Sequence, residues 1–211
     1  MNHTRNEQLQ ARKATATPRG VGVMAPFFVD RAQGAELWDV QGRRFIDFAG
    51  GIAVMNVGHG HPKVVAAVNE QLSRFTHSCY QVVPYESYVA LAEKLNALTP
   101  GQHAKKTALF STGAEAVENA IKLVRHYSGR SKVLARYRTY HGATLGAMTL
   151  TGDPRRWANE PAIYGVVRYP DTHRWGEKEP RSAAEALAGL EDVIRYEGPH
   201  TIAAIFLETI V

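Results

Sequence analysis

A single cysteine, Cys79, is all that these 211 residues contain, which excludes an internal disulfide framework and agrees with a reducing compartment. Nothing beside Cys79 in the sequence would activate it as a nucleophile, so it is expected to be a buried small residue. No apolar run approaches the roughly 20 residues that span a bilayer, so no membrane-spanning helix is expected. The opening MNHTRNEQLQARKATATPRG has no apolar core of the kind a secretory signal needs. The expected location is cytoplasmic.

Acidic residues are missing from a long internal stretch. Between Asn119 and Gly152 there is no Asp or Glu, while Lys122, Arg125, Arg130, Lys132, Arg136 and Arg138 all fall there. Such a field suits an anionic small molecule, a phosphate backbone, or simply a solvated helix face. No recognised nucleic-acid module accompanies the charges, so neither a nucleic-acid nor a membrane partner is expected. The net charge of +5, 45% hydrophobic and 21% charged residues are ordinary for a soluble globular protein.

What is present reads as an α/β chain. Residues 1–17 form a polar arm or short helix. FFVDRAQGAELWDVQGRRFIDF, residues 27–48, has aromatic and β-branched runs broken at Gln33-Gly34 and Gln41-Gly42, the pattern of a β-meander. Pro62 opens a helix with Val65, Val68, Leu72 and Phe75 on one face, and a second helix carries Tyr88, Leu91, Leu95 and Leu98 before Pro100-Gly101 stops it. From there the pattern alternates: strand 107–110, helix 115–127, strand 132–135, a short helix near 144–150, strand 163–168, helix 182–196 and strand 201–207. Alternation of that kind predicts a mostly parallel sheet with flanking helices. On the helix after the first of these strands, Ala116, Ala120, Leu123 and Val124 lie near helical spacing. The segment 171–182 is the expected long loop. The domains expected are a polar arm (1–17), a β-meander segment (18–60) and the first part of a larger sheet domain (61–211). The apolar TIAAIFLETIV reads as a buried parallel strand, and it suggests a fold incomplete at its C-terminus.

Three places carry candidate chemistry. KTALF runs into Ser-Thr-Gly-Ala-Glu, a strand-to-helix turn whose Thr112, Gly113 and Ala114 would aim backbone N–H groups and a hydroxyl at an anion held by the helix dipole. The same residues permit a capping box between Thr112 and Glu115, which needs no ligand. KVLARY ends in a loop with Tyr140-His141-Gly142, and AAIFLE places Glu208 at the end of another strand. In a doubly wound sheet such strand ends converge on one crevice, where an aromatic ring can stack on a flat ligand.

DFAGGIAVMNVGHGHPKVVAAVNEQL, STGAEAVENAIK, Tyr140-His141-Gly142 and AAIFLE, in this order and spacing, resemble class-III aminotransferases that use pyridoxal 5'-phosphate. Up to about residue 130 the likeness is greatest to 4-aminobutyrate and other ω-amino acid aminotransferases. The resemblance implies the fold-type I large-domain pattern, present as an N-terminal half, and transamination from an ω-amino acid or amine donor to a 2-oxo acid. It also implies a homodimer in the full-length form. By resemblance, Thr112, Gly113 and Ala114 hold the cofactor phosphate, Tyr140 stacks on the pyridine ring with His141 beside it, and Glu208 lies in the hydrogen-bonding shell near the ring. Ile52 and Ala143 fall at substrate-binding positions.

The chain also departs from that pattern. No catalytic residue is expected within it, because the lysine that attaches the cofactor falls beyond Val211 in the family. Relatives specific for 4-aminobutyrate have Arg directly after Tyr-His-Gly, where Ala143 stands here and cannot pair a distal carboxylate. Some relatives have Ser in place of Ala114. A noncatalytic fragment or interaction remnant of the same fold is the alternative. A metal-dependent hydrolase using His59 and His61 is a further one, although such barrels typically need about 250 residues and more ligands; no metal is expected.

Overall fold

The computed structural model describes residues 4–159, 162–173, 176 and 178–209. The first three residues of the predicted arm and the last two of TIAAIFLETIV therefore lie outside the described residues. The chain divides into two compact units, Met1–Tyr85 and Glu86–Val211.

In the first unit, helix α1 (Arg5–Ala16) starts from a capping box in which Thr4 and Glu7 satisfy each other's backbone N–H. Asn6, buried on α1, explains how a polar helix is held. Its Nδ2 donates to Asp39 Oδ2 (2.9 Å) and Gln41 Oε1 (2.6 Å), and its Oδ1 accepts the Phe28 N–H at 2.8 Å. Burial alone would push the Asp39 carboxyl up, but hydrogen bonds from Arg43, Asn6 and Gln41 outweigh it and hold the pKa at about 2. A hollow along α1, lined among others by Asn6, Ala11, Arg12 and Pro26, includes none of the predicted site residues.

The expected meander is present as β1 (Val29–Gln33), β2 (Glu36–Asp39) and β3 (Arg44–Ile46), antiparallel in chain order. Gly34, at φ 55°, makes the two-residue turn between β1 and β2, a conformation that favours glycine. Phe27 stacks on Phe45 at 4.2 Å, and the Arg31 guanidinium lies 3.6 Å from the centre of the Trp38 ring.

After β3 the chain makes a left-handed turn, α2 (Gly50–Ala53), before α3 (Pro62–Arg74). Cys79 corrects the sequence expectation of burial. It is exposed at φ 53°, in a turn where its carbonyl accepts the N–H groups of Val82 and Val83. A position chosen for tight backbone geometry leaves its side chain outside.

The second unit opens with α4 (Glu86–Leu98) and continues through α5 (Gly113–Ser128), β4 (Lys132–Arg136), α6 (Leu145–Leu150), β5 (Val166–Tyr169), α7 (Ala183–Glu197) and β6 (Ile202–Phe206). The sheet order is β5-β4-β6, and both pairings are parallel. Alternate residues of β4 point to opposite faces. Val133 and Ala135 pack with Ile121 of α5 and Leu150 of α6, whereas Leu134 packs with Leu190, Val193 and Ile194 of α7. All three β4 residues are fully buried. The sheet thus has helices on both sides, the arrangement that continuous apolar strands demand.

Two expectations for this unit are corrected. Residues 107–110 form no strand, although KTALF has strand composition. The segment is held by side chains instead: the Tyr88 hydroxyl accepts the Leu109 N–H at 2.9 Å, and Thr107 donates to Asn96 Oδ1 at 2.8 Å. A strand requires a backbone ladder, and among the described residues none is formed beside it. On α5, the face against the sheet is Val117, Ile121 and Val124, while Leu123 is exposed.

Candidate functional site

The site is assembled where the carboxyl ends of β4 and β6 meet the amino end of α5. Thr112 caps α5: its Oγ1 accepts the Glu115 N–H at 3.0 Å, and its own N–H donates to Glu115 Oε2 at 3.1 Å. The capping box is therefore real, and it uses the N–H groups of Thr112 and Glu115. Gly113 and Ala114 follow at the first two helical positions, where no intrahelical acceptor exists. Their N–H groups have no protein acceptor among the described residues, and the Thr112 hydroxyl proton is still free to be donated.

The loop after β4 is pressed against this turn. Gly142, at φ 137°, is buried so closely that a Cβ there would lie 2.7 Å from Ala114 Cβ and 3.0 Å from Ala147 Cβ. Only glycine permits that approach. Two residues earlier, the Tyr140 N–H donates to Glu208 Oε2 at 3.0 Å, tying the β4 loop to the end of β6. Arg136, the last residue of β4, donates to the Glu208 carbonyl at 2.6 Å. Tyr140, Gly142, Ala114 and Glu208 are thereby drawn to one end of the sheet.

His141 lies inside this junction. Its N–H donates to Thr151 Oγ1 at 3.1 Å, and its ring meets Phe206 edge-on at 6.4 Å. Burial lowers its pKa below the ordinary value; Glu208 opposes that shift and Arg136 adds to it. The ring is thus neutral at neutral pH. Its Nε2 is buried without a hydrogen-bond partner among the described residues, a costly state unless a ligand or water answers it.

Several participants were not singled out in the sequence. Glu118 on α5 accepts from Thr144 Oγ1 (2.6 Å), Gly146 N (2.8 Å) and Ala147 N (3.2 Å). The Thr144 hydroxyl and the two amides hold its carboxyl below the usual range, against the opposing effect of burial. Asp171, nearly fully buried, accepts from Arg138 at 2.8 Å and lies 3.8 Å from Arg136. It braces Arg138, whose φ of 62° is unusual for a side-chain-bearing residue. Arg155 lies over the Tyr140 ring, 4.3 Å from its centre, and pairs with Asp153. No periodicity marks these residues, and Glu118 and Asp171 act through partners remote in sequence; only the basic run around Arg136 and Arg138 hinted at them.

Ala143, Ile52, His59 and His61 were the other residues singled out in the sequence. Ala143 is exposed on the loop just after Gly142. Ile52 belongs to the other unit, with Gly51 and Ala53 in a left-handed turn; its φ of 63° is a strained value for a β-branched residue. Asp47 supports that turn by accepting the N–H groups of Ala49 and Gly50, and His59 meets its other oxygen at 2.7 Å. His61 stands at the amino end of α3. No group of three or more His, Cys, Asp or Glu able to hold a metal occurs among the described residues. Nor is any described helix long and apolar enough to cross a membrane.

Residues 16–211 match the family described as Aminotransferase class-III. The 5-aminovalerate aminotransferase DavT of Pseudomonas putida is 46% identical over 97% of the chain, which covers 48% of that relative. The 4-aminobutyrate aminotransferase GabT of Escherichia coli is 43% identical, with the same coverage of each. Among solved structures, a taurine:2-oxoglutarate aminotransferase from Bifidobacterium kashiwanohense, in complex with PLP and glutamate, superimposes with a TM-score of 0.88 at 28% identity. That match covers 100% of this chain and 49% of the other. An ω-aminotransferase from Paracoccus denitrificans gives 0.82 at 28% identity, covering 94% and 48%. The chain spans about half the length of the curated relatives it matches.

Proposed function

The chain belongs to the class-III aminotransferases, and from that membership we propose that it supplies the phosphate- and ring-binding part of a pyridoxal 5'-phosphate site. The enzyme concerned moves an amino group from an ω-amino acid or amine to a 2-oxo acid. The observation that carries this reading is the close contact of Gly142 with Ala114, which sets the anion-binding turn beside the Tyr140 loop at the strand ends. A phosphorylated aromatic ligand needs both within a few ångströms of each other.

The residues fit such a ligand. Gly113 and Ala114 offer backbone N–H groups without protein acceptors among the described residues, and Thr112 offers its hydroxyl proton. Tyr140 presents an aromatic face, His141 a buried nitrogen with no partner among the described residues, and Glu208 a carboxylate oriented by the Tyr140 N–H. When bound, pyridoxal phosphate supplies an electron sink that eases proton loss at the carbon bearing the amine. The chain's own residues hold and orient: the turn fixes the phosphate, Tyr140 excludes water from one ring face, and neutral His141 can donate or accept one hydrogen bond. Substrate contacts are proposed for Ile52 and Ala143.

The lysine required for transamination is expected from the part of the relatives' length that this chain does not span. Lys132 stands at the opposite end of β4, bound to Glu197 at 2.7 Å, and Lys105 and Lys122 are bonded to Gly101 and Asn119. We place the protein in the cytosol as a homodimer; the exposed apolar stripe Val65, Val68 and Leu72 on α3 supports association. Borohydride reduction of the 211-residue chain with pyridoxal phosphate, followed by peptide mapping, tests the division of labour. Noncovalent binding without labelling is expected. One stoichiometric pyridoxyl-lysine within the chain would overturn it.

A further inference from the structure

Glu118 has no part in the site as the sequence presents it, yet it bonds to Thr144 at the end of the ring loop and to two amides of α6. It lies little more than one turn beyond Gly113 and Ala114. Its Oε1 accepts from the Thr144 hydroxyl and from the N–H groups of Gly146 and Ala147. Those amides open α6, and Thr144, at the capping position, makes no side-chain cap bond of its own. Glu118 therefore does for α6, from a different helix, what a capping residue normally does locally.

The fit is close on both sides. A Cβ at Gly146 would lie 2.2 Å from Glu118 Oε2, so the absence of a side chain there is what admits the carboxylate. At the far end of α6, Thr151 Oγ1 accepts the His141 N–H and donates to the Ala147 carbonyl. Ala147, like Ala114, also closes in on Gly142. The segment Tyr140–Thr144 is thus fastened at two points to α6, and α6 is fastened by Glu118 to the helix that begins with the phosphate turn.

We infer that Glu118 is a positioning residue that locks the ring-binding loop to the phosphate-binding turn, so that ring and phosphate are held as one ligand rather than by two independent contacts. The inference rests on the pyridoxal-phosphate reading above. It differs from a general structural role in one respect: loss of Glu118 spares the turn itself and uncouples only the loop. Inorganic phosphate should then bind as before, while a phosphorylated pyridine ring should bind less well.

The full-length protein with bound cofactor removed is compared as wild type, Glu118→Ala and Glu118→Gln, well below the unfolding temperature. Pyridoxine 5'-phosphate, which has no aldehyde and reports noncovalent holding, and inorganic phosphate are titrated calorimetrically. Amide hydrogen exchange at His141, Gly146 and Ala147 is followed in parallel. Glu118→Ala should weaken pyridoxine phosphate about 10- to 100-fold, the range for stranding buried donors, with little change for phosphate and faster exchange at the three amides. Glu118→Gln keeps an acceptor oxygen and should recover most of both losses. Equal weakening of the two ligands, or unchanged exchange in Glu118→Ala, would overturn the inference. A wild-type protein that bound no pyridoxine phosphate would overturn the functional reading and the ligand half of this one, whereas the exchange measurement would still decide the clamp.

Discussion

Ala143 and Arg155 frame the substrate question at the scale of single residues. An alanine directly after Tyr140-His141-Gly142 cannot make the bidentate contact that an arginine would make with a distal carboxylate. The loop is not without positive charge, since the Arg155 guanidinium lies over the Tyr140 ring, but it is also paired with Asp153. A cation already neutralised by a carboxylate attracts a second one weakly. In the full-length enzyme, Ala143→Arg should therefore raise kcat/KM for 4-aminobutyrate relative to an amine without a carboxylate. A charge-assisted hydrogen bond is worth about 1.5–3 kcal/mol, or roughly 10- to 150-fold in that ratio. Using a ratio cancels losses in folding or cofactor binding to first order. An unchanged ratio would show that position 143 does not face the substrate.

At the scale of elements, the central strand gives the sharpest expectation. Leu134 is fully buried on β4 beneath α7, whereas Leu123 on α5 is 65% exposed. Leu134→Ala should cost about 2–5 kcal/mol in urea unfolding of the full-length protein. Leu123→Ala should stay within about 0.5 kcal/mol unless another surface covers that residue in the assembled protein. This pair also marks the limit of what could be read in advance. Spacing revealed helices α3, α4, α5 and α7 and strands β4 to β6, because an apolar stripe on a helix or an apolar run in a strand is a local property. It could not rank two apolar sides of α5: Val117, Ile121 and Val124 turn inward only because β4 and β6 lie there. Nor could it foresee that 107–110 lacks a ladder, since pairing depends on a neighbour. Thr112, Gly113 and Ala114 were legible as a cap or a cup because both need the same local turn. Glu118, Arg136 and Asp171 were not, each being defined by a contact distant in sequence.

For the molecule as a whole, exposed apolar surface is the dominant fact. Val65, Val68 and Leu72 on α3 are about half exposed or more, in register along one face, and Phe48 nearby in sequence is almost wholly exposed. The second unit adds Leu98, Leu123 and Leu187. Exposed apolar stripes such as the α3 face favour association. Strand β6 adds to it as an edge of the three-stranded sheet, with Ile205 partly open to solvent. The 211-residue chain on its own should therefore self-associate with rising concentration, seen as increasing mass in sedimentation velocity. Replacing Val68 and Leu72 together by Glu puts two charges on the exposed α3 face. That variant should sediment closer to a monomer, and its far-UV circular dichroism should match the parent's. If the parent chain is itself a monodisperse monomer with a cooperative melt, the apolar face of α3 drives no association, and the support it lends to a homodimer is lost.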